Sequence, residues 1–287
     1  MANILSGKEV SKAVNEKTVK IVESLKEKGY IPTVAILRVG EKEDDLSYER
    51  TATKRCDTVG IQVRNVVLPE DVEYDEFYKT LDQLNNDDIV DAILMFRPLP
   101  KHLDNEKARK MLNPAKDIDG CTDGSLAGVF TNSREGFGPC TAEAAMEILD
   151  YYGIDVKGKN VVVIGRSLVV GKPLAMMLLN RNATVTICHT KTVDIPSITK
   201  KADIVIAATG QMESLGIEYF SEGQTVIDVG ITFNSEKNKL CGDVKFDEVE
   251  PIVENITPVP GGVGSVTTSI LINHAALAAE RKVTAND

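Results

Sequence analysis

Val161-Val162-Val163-Ile164 is a run of four apolar residues that leads into Gly165-Arg166-Ser167-Leu168-Val169-Val170 and then Gly171-Lys172-Pro173. A strand, a glycine turn and a helix in that order suit a dinucleotide. The glycine lets backbone approach a pyrophosphate, and the N–H groups at the positive helix end face the anion. Gly165 and Gly171 stand six apart, so the spacing is not G-x-G-x-x-G, and a purely structural turn is the competing reading. The next strand, Thr184 to Cys188, ends at His189-Thr190-Lys191. A site for the unmodified ribose of NAD usually places Asp or Glu there, to accept from the 2′-hydroxyl. None is present. Arg166, Thr190 and Lys191 instead suit a 2′-phosphate, which favours NADP and leaves NAD as the alternative cofactor.

The elements that must position these residues alternate along the chain. Val10, Val14, Val19, Val22 and Leu25 predict a helix over Ser6–Lys28, stopped by Gly29. Strands are expected at 33–37, 61–68 and 91–95, with helices over 44–59 and 74–84 between them. Pro98 and Pro100 follow the third strand. Periodicity fades from Leu112 to Cys140 and resumes as a helix over 141–152. A second series follows, with strands at 160–164, 184–188, 204–208 and 225–229 and helices over 171–180 and 266–281. Such alternation implies parallel sheets built from βαβ units, hence an α/β protein of two units joined near residue 140.

The 287 residues carry 33 Lys or Arg against 43 Asp or Glu, a net charge of −10. This balance argues against nucleic acid or an anionic membrane as the main partner. No apolar run approaches the ~18 residues of a membrane span. The first eight residues have neither a basic nor an apolar signal segment, so a cytoplasmic location is expected. Cys56, Cys121, Cys140, Cys188 and Cys241 are scattered, and His102, His189 and His274 lack metal-ligand spacing. Free thiols and no structural metal follow.

Further motifs occur in order: Pro114-Ala115-Lys116-Asp117-Ile118-Asp119-Gly120, Pro139-Cys140-Thr141, Cys188-His189-Thr190-Lys191-Thr192, Val226-Ile227-Asp228-Val229-Gly230-Ile231 and Thr257-Pro258-Val259-Pro260-Gly261-Gly262-Val263-Gly264. With the Gly165 turn they make the chain closely similar to the methylenetetrahydrofolate dehydrogenase/cyclohydrolase family, over nearly its whole length. The resemblance implies two α/β domains around a cleft, usually as a homodimer. A folate-binding catalytic domain would span 1–140 plus the C-terminal helix 266–287. A Rossmann-like NAD(P)-binding domain would span 141–265. It also implies hydride transfer from the methylene carbon of 5,10-methylenetetrahydrofolate to nicotinamide. The folate N5 and N10 lone pairs stabilise the cation that forms, so the protein mainly holds two rings at hydride distance.

Residue by residue, the resemblance implies that Asp119 accepts from the pterin amino and ring N–H groups, the role a carboxylate suits. Tyr48 would stack on or hydrogen-bond the folate. Gly165, Arg166, Ser167, Thr190 and Ile231 would line the cofactor, and Pro260, Gly261, Gly262, Val263 and Gly264 would form a loop over the substrate. Read alone, Tyr48 is a packing residue and Asp119 a turn or cap residue. Only the aligned motifs give them chemistry.

The chain departs from the family where the second reaction lies. Bifunctional members carry Tyr-x-x-x-Lys on the second helix, one face of which holds both residues, and a supporting Gln after the third strand. Here Ala52 stands four after Tyr48 and Phe96 stands at the Gln position. Lys54 is six residues on, rotated about 240° at 3.6 residues per turn. Ser265-Val266 replaces the usual Pro-Met, and Ala142 replaces a Pro. Hydrolysis needs a group that activates water and hydride transfer does not. The expectation is an NADP-dependent dehydrogenase with weak or absent cyclohydrolase activity. The alternative is a bifunctional enzyme also making 10-formyltetrahydrofolate, with Lys54 or Arg97 as an unorthodox base.

Overall fold

All seven residues of Thr33–Val39 are buried, as a strand inside a parallel sheet covered on both faces must be. The computed structural model describes residues 1–133, 135–235 and 238–286. In chain order they form β1 (Asn3–Ile4), α1 (Gly7–Glu27), β2 (Thr33–Val39), α2 (Glu43–Val59), β3 (Gln62–Leu68), α3 (Tyr74–Asn86), β4 (Ala92–Met95), α4 (Asn105–Met111) and α5 (Asp123–Thr131). They continue as α6 (Cys140–Tyr151), β5 (Asn160–Ile164), α7 (Gly171–Asn180), β6 (Thr184–Cys188), α8 (Ile195–Thr199), β7 (Ile204–Ala207) and β8 (Thr225–Asp228). A hairpin of β9 (Thr232–Asn234) and β10 (Lys239–Cys241) precedes α9 (Phe246–Val249), β11 (Asn255–Ile256) and α10 (Val263–Asn286).

Two compact units emerge, Ala13–Gly138 with Thr268–Asp287 and Met1–Lys12 with Pro139–Thr267. In the first, β2 is the middle strand of a parallel sheet ordered β3-β2-β4. Its core gathers Leu37, Phe77, Leu81, Ile93 and Leu112. Phe77 and Leu81 are fully buried, four apart on the inward face of α3.

In the second unit a six-stranded parallel sheet runs β1-β11-β8-β7-β5-β6, a Rossmann-like arrangement. The first twelve residues cluster with this sheet, whereas the sequence reading groups them with residues up to 140. The reason is backbone pairing: Asn3 and Ile4 pair in parallel with Asn255 and Ile256. Strand order reverses between β5 and β7, and in doubly wound sheets ligands bind at that switch, beyond the carboxyl ends of the strands. All five cysteines are free thiols. Among the described residues no helix is long and apolar enough to cross a membrane.

Candidate active site

In the first unit the site begins with how α2 is held. Glu43, Asp44 and Asp45 occupy its first turn, where carboxylates complement the helix dipole, and Gly60 closes it at φ 84°. The nearly buried Arg38 of β2 donates through Nε to Glu49 at 2.6 Å, fixing the helix against the sheet. Tyr48 then meets Phe96, which follows β4, with ring centroids 5.7 Å apart and planes tilted by 58°. Tyr48, Phe96, Asp45, Leu94, Met95, Arg97 and Asp119 line one cavity of about 260 Å³.

Asp119 reaches this cavity through a short parallel bridge between Asp117 and Ile93 of β4. The buried Asp117 anchors the segment, its Oδ2 accepting from the Thr122 N–H at 2.7 Å and the Ser125 hydroxyl at 2.8 Å. His274 of α10 adds a 2.8 Å hydrogen bond between its Nδ1 and the Ile118 carbonyl. The Asp119 carboxylate accepts from Arg97 Nη2 at 3.3 Å. Burial pushes the Asp119 carboxyl above its ordinary range and the charge of Asp117 adds to this. The Arg97 guanidinium pulls it back down.

Tyr48 and Asp119 are therefore brought together, with two partners the sequence reading did not join to them. Asp45 precedes Tyr48 by three, the spacing that shares a helix face, and that signal could have found it. Arg97 stands two residues beyond a fully buried strand, an unusual place for a cation. Ala52 is buried at 1% exposure, whereas Lys54 is exposed, so the two lie on opposite sides of α2. Phe96, 8% exposed, presents only an aromatic ring.

In the second unit Gly165 follows β5 at φ 132°, a backbone conformation that favours glycine. A Cβ there would strike the Ala208 carbonyl at the end of β7, and one on Gly171 would strike Gly165's own carbonyl. The turn therefore crosses the sheet switch with bare backbone. Ser167 shapes it: its hydroxyl accepts from the Val170 N–H at 3.0 Å and its carbonyl from Lys172 at 3.0 Å. Arg166 and Ser167 are exposed. Beyond β6, the His189 and Lys191 N–H groups donate to Thr192 Oγ1 and His189 Nδ1 at 2.9 and 3.1 Å, leaving Thr190 and Lys191 exposed.

Ile231, 57% exposed, follows β8. It lies beside Gly264, whose added Cβ would be 3.6 Å from its Cδ1, so two separate motifs meet. The Pro260–Gly264 loop is pinned where the Gly7 N–H donates to the Gly261 carbonyl at 2.7 Å. Gly261 has φ 98°, Val263 is buried, and Ser265, at a family Pro position, donates its N–H to Gly262 at 3.0 Å. These features fit a dinucleotide: a glycine cradle at the sheet switch, a helix start, exposed Arg166 and Lys191, and no carboxylate from Cys188 to Thr192.

A family model described as "Tetrahydrofolate dehydrogenase/cyclohydrolase, catalytic domain" matches residues 5–119. Its companion, the "NAD(P)-binding domain" of the same description, matches residues 139–283. The "Bifunctional protein FolD" of Clostridium botulinum (strain Langeland) is 50% identical over 281 residues, 98% of this chain and 99% of that protein. The crystal structure of the bifunctional FolD enzyme of Campylobacter jejuni superposes with a TM-score of 0.94 at 35% identity, covering 98% of this chain and all of that one. The Trypanosoma brucei FolD, complexed with NADP cofactor and inhibitor, gives 0.89 at 34% identity, covering 98% of each chain. With both models placed on consecutive segments and relatives aligned almost end to end, the chain belongs to the tetrahydrofolate dehydrogenase/cyclohydrolase family.

Proposed function

We propose that this dehydrogenase oxidises 5,10-methylenetetrahydrofolate to the 5,10-methenyl form with NADP, and that it hydrolyses the methenyl product weakly or not at all. Asp119 accepts from the pterin amino and ring N–H groups, and Tyr48 and Phe96 offer ring faces to the flat heterocycle. Arg166, Thr190 and Lys191 take the 2′-phosphate, while Gly165, Ser167 and Ile231 line the rest of the cofactor and Pro260–Gly264 covers the substrate. The bound nicotinamide supplies the hydride acceptor. No side chain need move a proton, because the folate nitrogens stabilise the cation themselves.

The observation that carries the loss of hydrolysis is the buried Ala52 one turn beyond Tyr48, joined by the apolar Phe96. A well-placed group that activates water is worth roughly 10²–10⁴-fold. The bifunctional name of the clostridial relative favours a second reading, in which the chain also forms 10-formyltetrahydrofolate. The Arg97 guanidinium, at the cavity wall, is then the group left to orient water. As a base it would be poor, since it stays protonated.

A paired assay with NADP and NAD, following formation and decay of the methenyl product, separates the readings. Faster reduction of NADP, with methenyl decay at the enzyme-free rate, is expected. Enzyme-accelerated decay establishes the bifunctional reading, and failure to reduce either cofactor overturns the dehydrogenase reading. The double variant Ala52→Lys with Phe96→Gln should gain measurable hydrolysis in the same assay. From the family resemblance we also hold the protein to be a homodimer, which light scattering of the pure protein checks, and cytoplasmic, which cell fractionation checks.

A further inference from the structure

The Arg97 guanidinium is left under-satisfied. Its Nε–H is buried without a hydrogen-bond partner. Its Nη2 reaches Asp119 at 3.3 Å, long against the roughly 2.7–2.9 Å of a tight charge-assisted pair. Both groups line the same cavity as Tyr48 and Phe96. A buried donor without an acceptor costs free energy, so a ligand that brings an acceptor beside Asp119 recovers that cost.

The edge of a reduced pterin has that pattern. Its 2-amino group and N3–H are adjacent donors, and the 4-oxo oxygen next to N3 is an acceptor. A carboxylate flanked by a guanidinium offers the complement: acceptors for the first two, a cationic donor for the third. We propose that Arg97 is a specificity residue for the folate, donating to the pterin 4-oxo oxygen while Asp119 holds the amino edge. This rests on the folate reading above. It gives Arg97 a binding role in place of a catalytic one.

Calorimetric titration of the wild type, Arg97→Leu and Arg97→Lys with tetrahydrofolate and with its 4-amino-4-deoxy analogue tests this. In the analogue the oxo acceptor is replaced by an amino donor and N3 loses its hydrogen. Asp119 therefore keeps only the 2-amino contact in every variant, and each variant is compared with wild type on the same ligand. Arg97→Leu should weaken tetrahydrofolate about tenfold to a hundredfold, the worth of one charge-assisted hydrogen bond. It should leave the analogue unchanged or tighter, since a repulsive donor pair is removed. Arg97→Lys should keep part of the preference, and it carries the test if the leucine variant melts. In steady state the leucine variant should raise KM for methylenetetrahydrofolate by a similar factor, with kcat nearly kept. Equal weakening of both ligands would show that Arg97 only supports Asp119, and an unaltered affinity would show no role; either overturns the proposal. A wild type that binds neither ligand overturns the folate reading itself, a result visible before any variant is compared.

Discussion

In the role proposed for Asp119 a carboxylate accepts two pterin donors and works only when ionised, so its pKa should set the acid limit of substrate binding. Burial raises that pKa above the usual carboxylate range and Arg97 opposes the rise. The acid limb of kcat/KM, which reports the free enzyme, should therefore lie above the ordinary carboxylate value of about 3.9. In Arg97→Leu the opposing charge is gone and the limb should move to still higher pH. A limb that stays or moves down would show that another group titrates there. The motifs made Tyr48 and Asp119 legible in the sequence, but not the company they keep. Arg97 and Asp119 are 22 residues apart and meet only because Asp117 bridges to β4, a pairing no local pattern encodes.

Elements with a strong period were the legible ones. β2, β5, β7 and β8 read as strands because their apolar runs are buried almost end to end. The nine residues of α5 fall in the stretch where periodicity fades, and the seven of α4 lie just before it; both helices are too short to show a face. Their caps were the available signal: Asp104 accepts from the Glu106 and Lys107 N–H groups, and Asn132 ends α5 at φ 55°. β1 has two residues and exists only through its partner β11. The turn between β5 and α7 is the element proposed to take the cofactor, and that proposal yields a direct prediction. Gly165→Ala forces a Cβ onto the Ala208 carbonyl in a conformation that L side chains rarely adopt. The turn must open, at a cost of about 1–3 kcal/mol, and NADP affinity should fall at least tenfold in a fluorescence titration. Tetrahydrofolate binding should be nearly unchanged, since Asp119 and Tyr48 belong to the other unit. Equal loss of both ligands would mean that the variant unfolds more than its turn.

On the scale of the whole chain, acid and base act through a buried carboxylate that composition gives no hint of. Asp228 ends β8 at 3% exposure, and fully buried Asp243 lies beside it. Asp228 accepts backbone N–H groups from Gly230, Asp243 and Val244 at 3.0, 3.0 and 2.9 Å, tying the segment after β10 to the loop that carries Ile231. Burial raises its pKa to about 7, against the pull of those N–H donors, and the Asp243 charge adds to the rise. Between about pH 4 and pH 7 the native state thus holds a proton that the unfolded chain has already released. Stability from this group is full below that window, falls as pH rises through it, and is flat above, where both states are ionised. In Asp228→Asn the titration is gone, although the amide NH₂ now opposes one N–H and should cost about 1–3 kcal/mol outright. Carboxylates elsewhere in the chain cancel in the difference between the two proteins. The melting-temperature advantage of wild type over Asp228→Asn should therefore shrink from pH 5 to pH 7 and then hold constant. An advantage that stayed flat from pH 5 to pH 7, and changed only below about pH 4, would mean that the three N–H donors outweigh burial and keep Asp228 ionised.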